Sequence, residues 1–518
     1  MRPVKVLVYP TKGSSVVFTP SWESLEAREM PEWFTRAKFG LWAHWGPQCQ
    51  PGHGDWYARS MYLPGTEDAR FHRERYGHPS RFGFKDVINE WKASRWDPEE
   101  LVALYARTGA RYFVAMANHH DNVDLWDSTH HAWNSVRVGP RRDIVGEWAA
   151  AARSHGLRFG VSVHAAHAWS WYEPSQGADP DGPMAGVPYD GRLSAADGAG
   201  TWWEGLDPQQ LYAQNHPPAP NVADPKVIHR AWDWPDPEHW PDAAYQAAFK
   251  ARTLQLAEAY RPDLVYFDDT VLPLHQCGPV GLEIAAALYT LSEDMIVCGK
   301  VLDERQRRAL TWDVERGVSD RIEPEPWQTC TCLGEWHYDE RVFAEHRYKP
   351  AAEVVGMLVD VVSKNGNLLL SVPVSGEGEI DEDERAILAG IGRWLAVNGE
   401  AVFDTVPWKV FGEGPSAEHP PALKAQGFNE GSTMTSADIR YTATPVGTGS
   451  SLYATVLGVP EGPVALRRLG RQTGLLDREI TGVHALGEGP VSWRQEEGAL
   501  VIESAAQVHR IELGLRER

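Results

Sequence analysis

The sequence predicts an α/β protein, a (β/α)8-type barrel followed by a C-terminal antiparallel β-sandwich. Three observations predict it. Short apolar runs alternate with amphipathic helical patterns through residues 35–375, the grammar of βα units around a mainly parallel sheet. Titratable residues gather where those runs end, and a parallel barrel collects its strand C-termini on one face. From about residue 400 the pattern changes to short strands between Gly/Pro-rich turns, as in an antiparallel sandwich.

The buried strands are expected in KFGLWAHWG (38–46), RYFVAMANHH (111–120), LRFGVSVH (157–164), DLVYFDD (263–269), MIVCGK (295–300), ALTWDVE (309–315) and NLLLSV (367–372). Helices between them have legible ends. Asp97 and Pro98 fit an N-cap and first turn, Leu101, Leu104 and Tyr105 an apolar face, and Gly109 a stop. Residues 143–156 repeat that grammar with Ile144, Trp148 and Ala152 on one stripe. Residues 242–260 place Tyr245, Phe249, Leu256 and Tyr260 at helical spacing.

The barrel region is taken as residues 1–400 and the sandwich as 401–518, with patches at 438–446, 451–459, 489–495 and 507–515. Residues 165–240 break the alternation, rich in Pro, Asp, Gly and Trp. So long a loop inside a compact domain is usually functional or disordered, and its aromatics favour an elaborated loop over the active face. The sandwich shows no catalytic grouping, so a supporting or sugar-contacting role is expected of it.

At 518 residues, with 42% hydrophobic and 23% charged residues, the composition is that of a soluble globular chain of two or three domains. The 23 Trp are the unusual feature. Buried scaffolding can absorb many, but indole also packs against the apolar face of a pyranose ring. A net charge of −21 opposes a nucleic-acid or anionic-membrane partner. No stretch approaches the roughly 18 apolar residues of a membrane span. The apolar run in the N-terminal MRPVKVLVYPTKG is shorter than a signal-peptide core, so a cytoplasmic chain is expected, or a periplasmic or extracellular one whose leader was trimmed. Oligomeric state is not readable. Five cysteines, Cys49, Cys277, Cys298, Cys330 and Cys332, make no disulfide framework. Cys330 and Cys332 near His337 lack the usual CxxC spacing of a metal site, and an ordinary structural role is expected of them.

The strand ends carry the candidate chemistry: His44, then His119 and His120, then His164, then Asp268 and Asp269, and later Glu315. Paired carboxyls suit glycoside hydrolysis, one as nucleophile and one as proton donor. Acids at a strand end also cap helices, and several polar strand ends together weigh against that simpler reading.

Six motifs in order now make the chain resemble the α-L-fucosidases of glycoside hydrolase family 29. They are WFTRAKFGLWAHWGP (33–47), DWYARSMY (55–62), NHHDNVDLWDS (118–128), RRDIVGEW (141–148), RPDLVYFDD (261–269) and VDVVSKNGNLLLSV (359–372). The resemblance runs from about Trp33 to Trp408. It implies a barrel with a C-terminal sandwich, release of terminal α-L-fucose from a small-molecule or oligosaccharide substrate with retained configuration, and neither metal nor cofactor. Its nucleophile, the Asp closing a strand after an aromatic pair, falls on Asp268 after Tyr266 and Phe267; Asp269 stands where the family usually has Gly. Adjacent residues of an extended chain point opposite ways, so only one should face the barrel axis. The family's sugar-binding histidines fall on His44, His119 and His120, and its Glu before Trp-Tyr on Asp55 before Trp56. Tyr266 takes the place of a Trp, Lys300 that of a sugar-binding Arg, and Ser162-Val163-His164 replaces Tyr-Tyr-Ser. For the acid/base, Glu315 is favoured over Glu323, Glu325 and Glu335. Such departures leave open another hexose, such as α-L-galactose, or an inactive glycan-binding barrel.

Overall fold

The computed structural model describes residues 16–224, 226–232, 234–423, 427–431, 434–445 and 450–514. The N-terminal apolar run lies outside them. Eight parallel strands close into a barrel in chain order, β1 pairing with both β2 and β8. They are β1 Phe39–Ala43, β2 Tyr112–Asn118, β3 Arg158–Val163, β4 Leu264–Phe267, β5 Ile296–Gly299, β6 Thr311–Glu315, β7 Trp327–Cys332 and β8 Gly366–Ser371. Seven answer to the expected runs. The sequence reading missed β7, WQTCTC, because its polar Gln and Thr residues break the apolar run that marks a strand buried on both faces.

Alternation along the strands fills the barrel. Trp42, Tyr112, Val114, Leu264, Tyr266, Ile296, Cys298, Cys330 and Leu369 form one buried interior cluster. Large and small residues have to match there. A Cβ on Gly40 would stand 2.3 Å from the Tyr112 ring, so the glycine admits the ring that fills the barrel floor. Helices cover the outside. Among them α1 Pro98–Thr108, α2 Ile144–Ser154 and α3 Ala243–Tyr260 carry the expected caps. The Asp97, Asp143 and Asp242 side chains accept from the backbone N–H of Glu100, Gly146 and Tyr245 at 3.1, 3.0 and 2.8 Å. Each such cap contributes about 1 kcal/mol. Gly109 ends α1 at φ 101°.

Much of the tryptophan is scaffold: Trp45, Trp91, Trp96 and Trp148 are buried and pack together with ring centres 5.0–6.3 Å apart. The described residues between 165 and 240 form short helical turns and bends, among them Val227–Ala231.

Beyond a long helix, Glu382–Asn398, come two antiparallel sheets. One contains β9 Val406–Glu413, β10 Ile439–Ala443, β11 Ser451–Val456, β13 Ile480–Ala485, β14 Gly489–Pro490 and β17 Val508–Leu513. The other contains β12 Val464–Leu466, β15 Trp493–Gln495 and β16 Leu500–Ile502. Residues of both sheets, including Tyr441, Leu452, Leu466, Leu500 and Ile511, share one apolar core. This part also reaches the barrel. The N–H of Phe428 donates to the carbonyl of Glu315 at 2.8 Å, and a Cβ on Gly427 (φ 107°) would meet that carbonyl at 2.1 Å. Among the described residues no helix is long and apolar enough to cross a membrane.

Candidate active site

The inward face of each strand continues, two residues further on, into the barrel mouth. On β1 Trp42 leads to His44, on β3 Ser162 to His164, and on β4 Tyr266 to Asp268. On β5 Cys298 leads to Lys300 and on β6 Asp313 to Glu315. The period of two thus stacks a polar layer on the apolar interior. On β2 the pairing register shifts between Met116 and Asn118, and His119 and His120 follow the strand together.

These side chains surround a cavity of about 200 Å³. All ten site residues named from the sequence line it: His44, Asp55, Trp56, His119, His120, His164, Tyr266, Asp268, Lys300 and Glu315. So do Trp42, His229, Trp232, Trp336, His337 and Phe428, which the sequence reading did not name as site residues. Trp42 lies within the 33–47 motif, whereas His229 and Trp232 lie outside all six motifs. Trp336 and His337 stand in the loop after the missed strand, and Phe428 comes from the C-terminal part.

Asp268 is held from three sides. The Lys300 ammonium donates to Oδ1, while His120 Nε2 and His164 Nδ1 stand 3.1 and 3.3 Å from Oδ2. Burial pushes its carboxyl up, but the Lys300 charge and the histidine hydrogen bonds outweigh this and hold it well below the usual carboxylate range. Lys300 also donates to Glu315 Oε2 at 2.5 Å. Two oxygens so close to one nitrogen lie within about 5 Å of each other, so the two carboxyl groups share one side of the cavity. Burial alone would lower Lys300; the charges of Asp268 and Glu315 overcome it and hold the ammonium well above its ordinary range.

The histidines are kept neutral mainly by burial. It pushes His44 and His119 well below the ordinary imidazole range, His164 in the same direction, and His120 down to about 4 against the pull of Asp268. His120 has acceptors on both sides, Asp268 Oδ2 and the His164 carbonyl, the latter 2.8 Å from Nδ1. The carboxylate is the stronger acceptor, so the single proton of the neutral ring belongs on Nε2. On His119, Nδ1 accepts from the Gln48 amide at 2.6 Å, which leaves a donor N–H on the other nitrogen.

Asp269 faces the other way. It is buried with Oδ1 2.9 Å from His167 Nε2, and that ring stacks between Trp232 and Trp234 at 4.0 and 5.2 Å. The ring N–H is poorly aligned with the carboxylate, so the contact is electrostatic more than a hydrogen bond. Asp55 lines the cavity, but both its oxygens are engaged: they accept from the backbone N–H groups of His337 and Trp336 at 2.6 and 3.2 Å. Its carboxylate thereby fixes the loop after β7. Trp56 stands in the left-handed region at φ 65° and stacks on His229 with ring centres 4.7 Å apart.

The alternative acids stand elsewhere. Glu323 accepts from Ser319 Oγ at 2.6 Å and faces Arg307, and with Glu325 it borders a separate surface depression. Neither they nor Glu335 line the cavity. Cys330 and Cys332 donate to the Asp313 carboxylate and the Gly334 carbonyl, each at 3.0 Å, while His337 turns to Asp55. All five cysteines are free thiols.

Comparison with known proteins agrees with this architecture. The profile of the alpha-L-fucosidase family matches residues 7–400. The tissue alpha-L-fucosidase of Rattus norvegicus is 26% identical over 503 residues, 93% of this chain and 88% of that one. The plasma alpha-L-fucosidase of Homo sapiens is 26% identical over 501 residues, 95% and 89% of the two chains. Among solved structures, an alpha-fucosidase of Thermotoga maritima in complex with a mechanism-based inhibitor superimposes with a TM-score of 0.68. It is 23% identical, and the alignment covers 96% of this chain and all of the other. Alpha-L-fucosidase isoenzyme 1 of Paenibacillus thiaminolyticus gives 0.62 at 20% identity, with 96% and 100% covered.

Proposed function

The chain belongs to the alpha-L-fucosidase family, and from that premise we propose that this glycoside hydrolase releases terminal α-L-fucose from glycans by a retaining double displacement. The observation that carries the reading is the pairing of Asp268 and Glu315 across one ammonium at the mouth of a closed barrel. In this reading residues 1–400 carry catalysis, and 401–518 support it and lend Phe428 to the cavity wall.

Asp268, ionised, attacks the anomeric carbon. Glu315 gives its proton to the glycosidic oxygen as that bond breaks, so the aglycone leaves as an alcohol and a glycosyl ester forms on Asp268. Water then enters, Glu315 takes its proton, and attack at the same carbon breaks the ester. Two inversions restore the starting configuration. A nucleophile must hold its negative charge inside a partly closed pocket, and Lys300 with the two histidines supplies the stabilisation for that. His44, His119, His120 and His164 offer neutral rings that donate to or accept from vicinal hydroxyls. Trp42, Trp56, Trp232 and Trp336 give apolar faces for the ring and its methyl group.

A covalent trap tests this in one step. Incubation with a 2-fluoro-fucosyl fluoride followed by peptide mass spectrometry should place one fucosyl label on the peptide containing Asp268. No label, label elsewhere, or labelling only by the galactosyl analogue would reject the assignment. NMR of the first-formed product should show the α anomer; a β product would exclude retention.

A further inference from the structure

One corner of the cavity carries more imidazole than sugar recognition requires. The rings of His44, His119 and His164 form a nearly equilateral triangle, with centres 5.0, 5.0 and 4.9 Å apart. One nitrogen from each lies within 4.8 Å of the other two. Three imidazoles on one tetrahedral ion at the usual bond length of about 2.0–2.1 Å place their ring centres about 5 Å apart and their nitrogens about 3.3 Å apart. The rings are therefore already at the right separation. We propose that His44, His119 and His164 form a binding site for one divalent transition-metal ion of the zinc type, and that this ion blocks hydrolysis by occupying the sugar pocket.

Two independent features point the same way. His44 Nδ1 and His337 Nε2 are buried polar atoms with no hydrogen-bond partner among the described residues. His337 stands with its ring centre 4.7 Å from both His44 and His119, and Asp55 Oδ1 lies 3.1 Å from its Nδ1. A carboxylate on one imidazole nitrogen fixes the tautomer that presents a lone pair on the other, the usual support of a metal-bound histidine. His337 packs beside two rings of the triangle, outside the set of nitrogens that approach one another within 4.8 Å. The negative charge of Asp268 beside His164 also favours a cation. One local change is required. His119 Nδ1 accepts from the Gln48 amide, and a flip of that amide presents its oxygen instead and frees Nε2 to ligate, at the loss of the 3.3 Å bond from the Ala58 N–H.

The blocking half of this proposal rests on the fucosidase reading; the binding half does not. The test is titration of the chelator-treated full chain with Co²⁺, followed by its ligand-field absorption at pH 7.5. One Co²⁺ should bind per chain with the bands of a tetrahedral ion, and L-fucose should weaken binding. Affinity should fall at least about tenfold in His44→Gln and, separately, in His119→Gln, each checked for folding by circular dichroism. Hydrolysis of an aryl fucoside by the wild-type chain should be lost along the same binding curve. Absence of the bands, or unchanged binding in both variants, overturns the proposal. Binding that is sensitive to His120→Gln but not to His44→Gln also overturns it, because the ion then sits on His120, His164 and Asp268. Lack of fucoside hydrolysis by the metal-free chain would count against the fucosidase reading, with the cobalt spectra still deciding the binding site.

Discussion

Asp268 and Glu315 meet through a single ammonium: Lys300 Nζ donates to one carboxylate oxygen of each. The ammonium charge offsets the cost of burying the ionised Asp268 carboxylate, and the same nitrogen ties Glu315 to it.

The two acids should fail differently. Asp268→Asn should lower kcat/KM by at least about 10³-fold for every fucoside, since nothing replaces the nucleophile. Glu315→Gln should cost about 10²–10⁴-fold on an oligosaccharide but much less on a dinitrophenyl fucoside, whose leaving group needs no proton. Parallel kinetics on both substrates check this, and equal losses for Glu315→Gln would remove it from the acid role.

Lys300→Met should move the acid limb of the pH–rate profile upward. Lys300 lowers the Asp268 carboxyl and burial raises it, so loss of the cation lets burial act with only His120 and His164 opposing. Asp268 then takes up its proton at higher pH, and the limb should rise by about 1–3 pH units. An unmoved acid limb in kcat/KM against pH would show that Asp268 does not depend on the ammonium.

Asp269→Ala separates the neighbouring acids. The carboxylate faces His167, not the cavity, so its loss should cost about 1–3 kcal/mol of stability and leave kcat within about tenfold of wild type. Urea denaturation alongside steady-state kinetics measures both. A collapse of kcat with unchanged stability would make Asp269, and not Asp268, the nucleophile.

A buried ion pair sets the loop after β2. Arg252 binds Asp124 through Nε at 3.0 Å and Asn122 through Nη1 at 2.7 Å, while Asn118 Nδ2 donates to Asp124 at 3.1 Å. Asn118 in turn accepts from the backbone N–H of His164 and Ala165. Arg252→Met strands the Asp124 charge and should cost about 3–5 kcal/mol, a large drop in Tm. A change under about 1 kcal/mol would mean that water reaches the pair.

Phe428→Ala should report on the aglycone. The ring is half exposed at the cavity wall, 52% accessible, and is held by the backbone bond to Glu315. KM for an oligosaccharide should rise about 5–30-fold, the loss of roughly 1–2 kcal/mol of aromatic contact, with little change for a small aryl fucoside. Equal effects on both substrates would place the ring against the fucose itself.

Much of the site was legible because its rules are local. Helix caps at Asp97, Asp143 and Asp242 need only a few residues of context. The period of two along RPDLVYFDD decides that Tyr266 and Asp268 share a face and that Asp269 does not. The lost strand β7 shows the limit of such rules, since Gln328 and Cys330 on one face and Thr329 and Thr331 on the other carry no apolar run to mark it.

The sequence by itself therefore determined which residues stand at the strand ends and which of them point inward, because alternation and capping are set by neighbours along the chain. Only the closed barrel decided the rest. It brought Trp336 and His337 in over Asp55, laid Phe428 against the end of β6, and put Lys300 between two acids 32 and 15 residues away. Those meetings depend on where eight strands and their loops return in space, and no local periodicity encodes that.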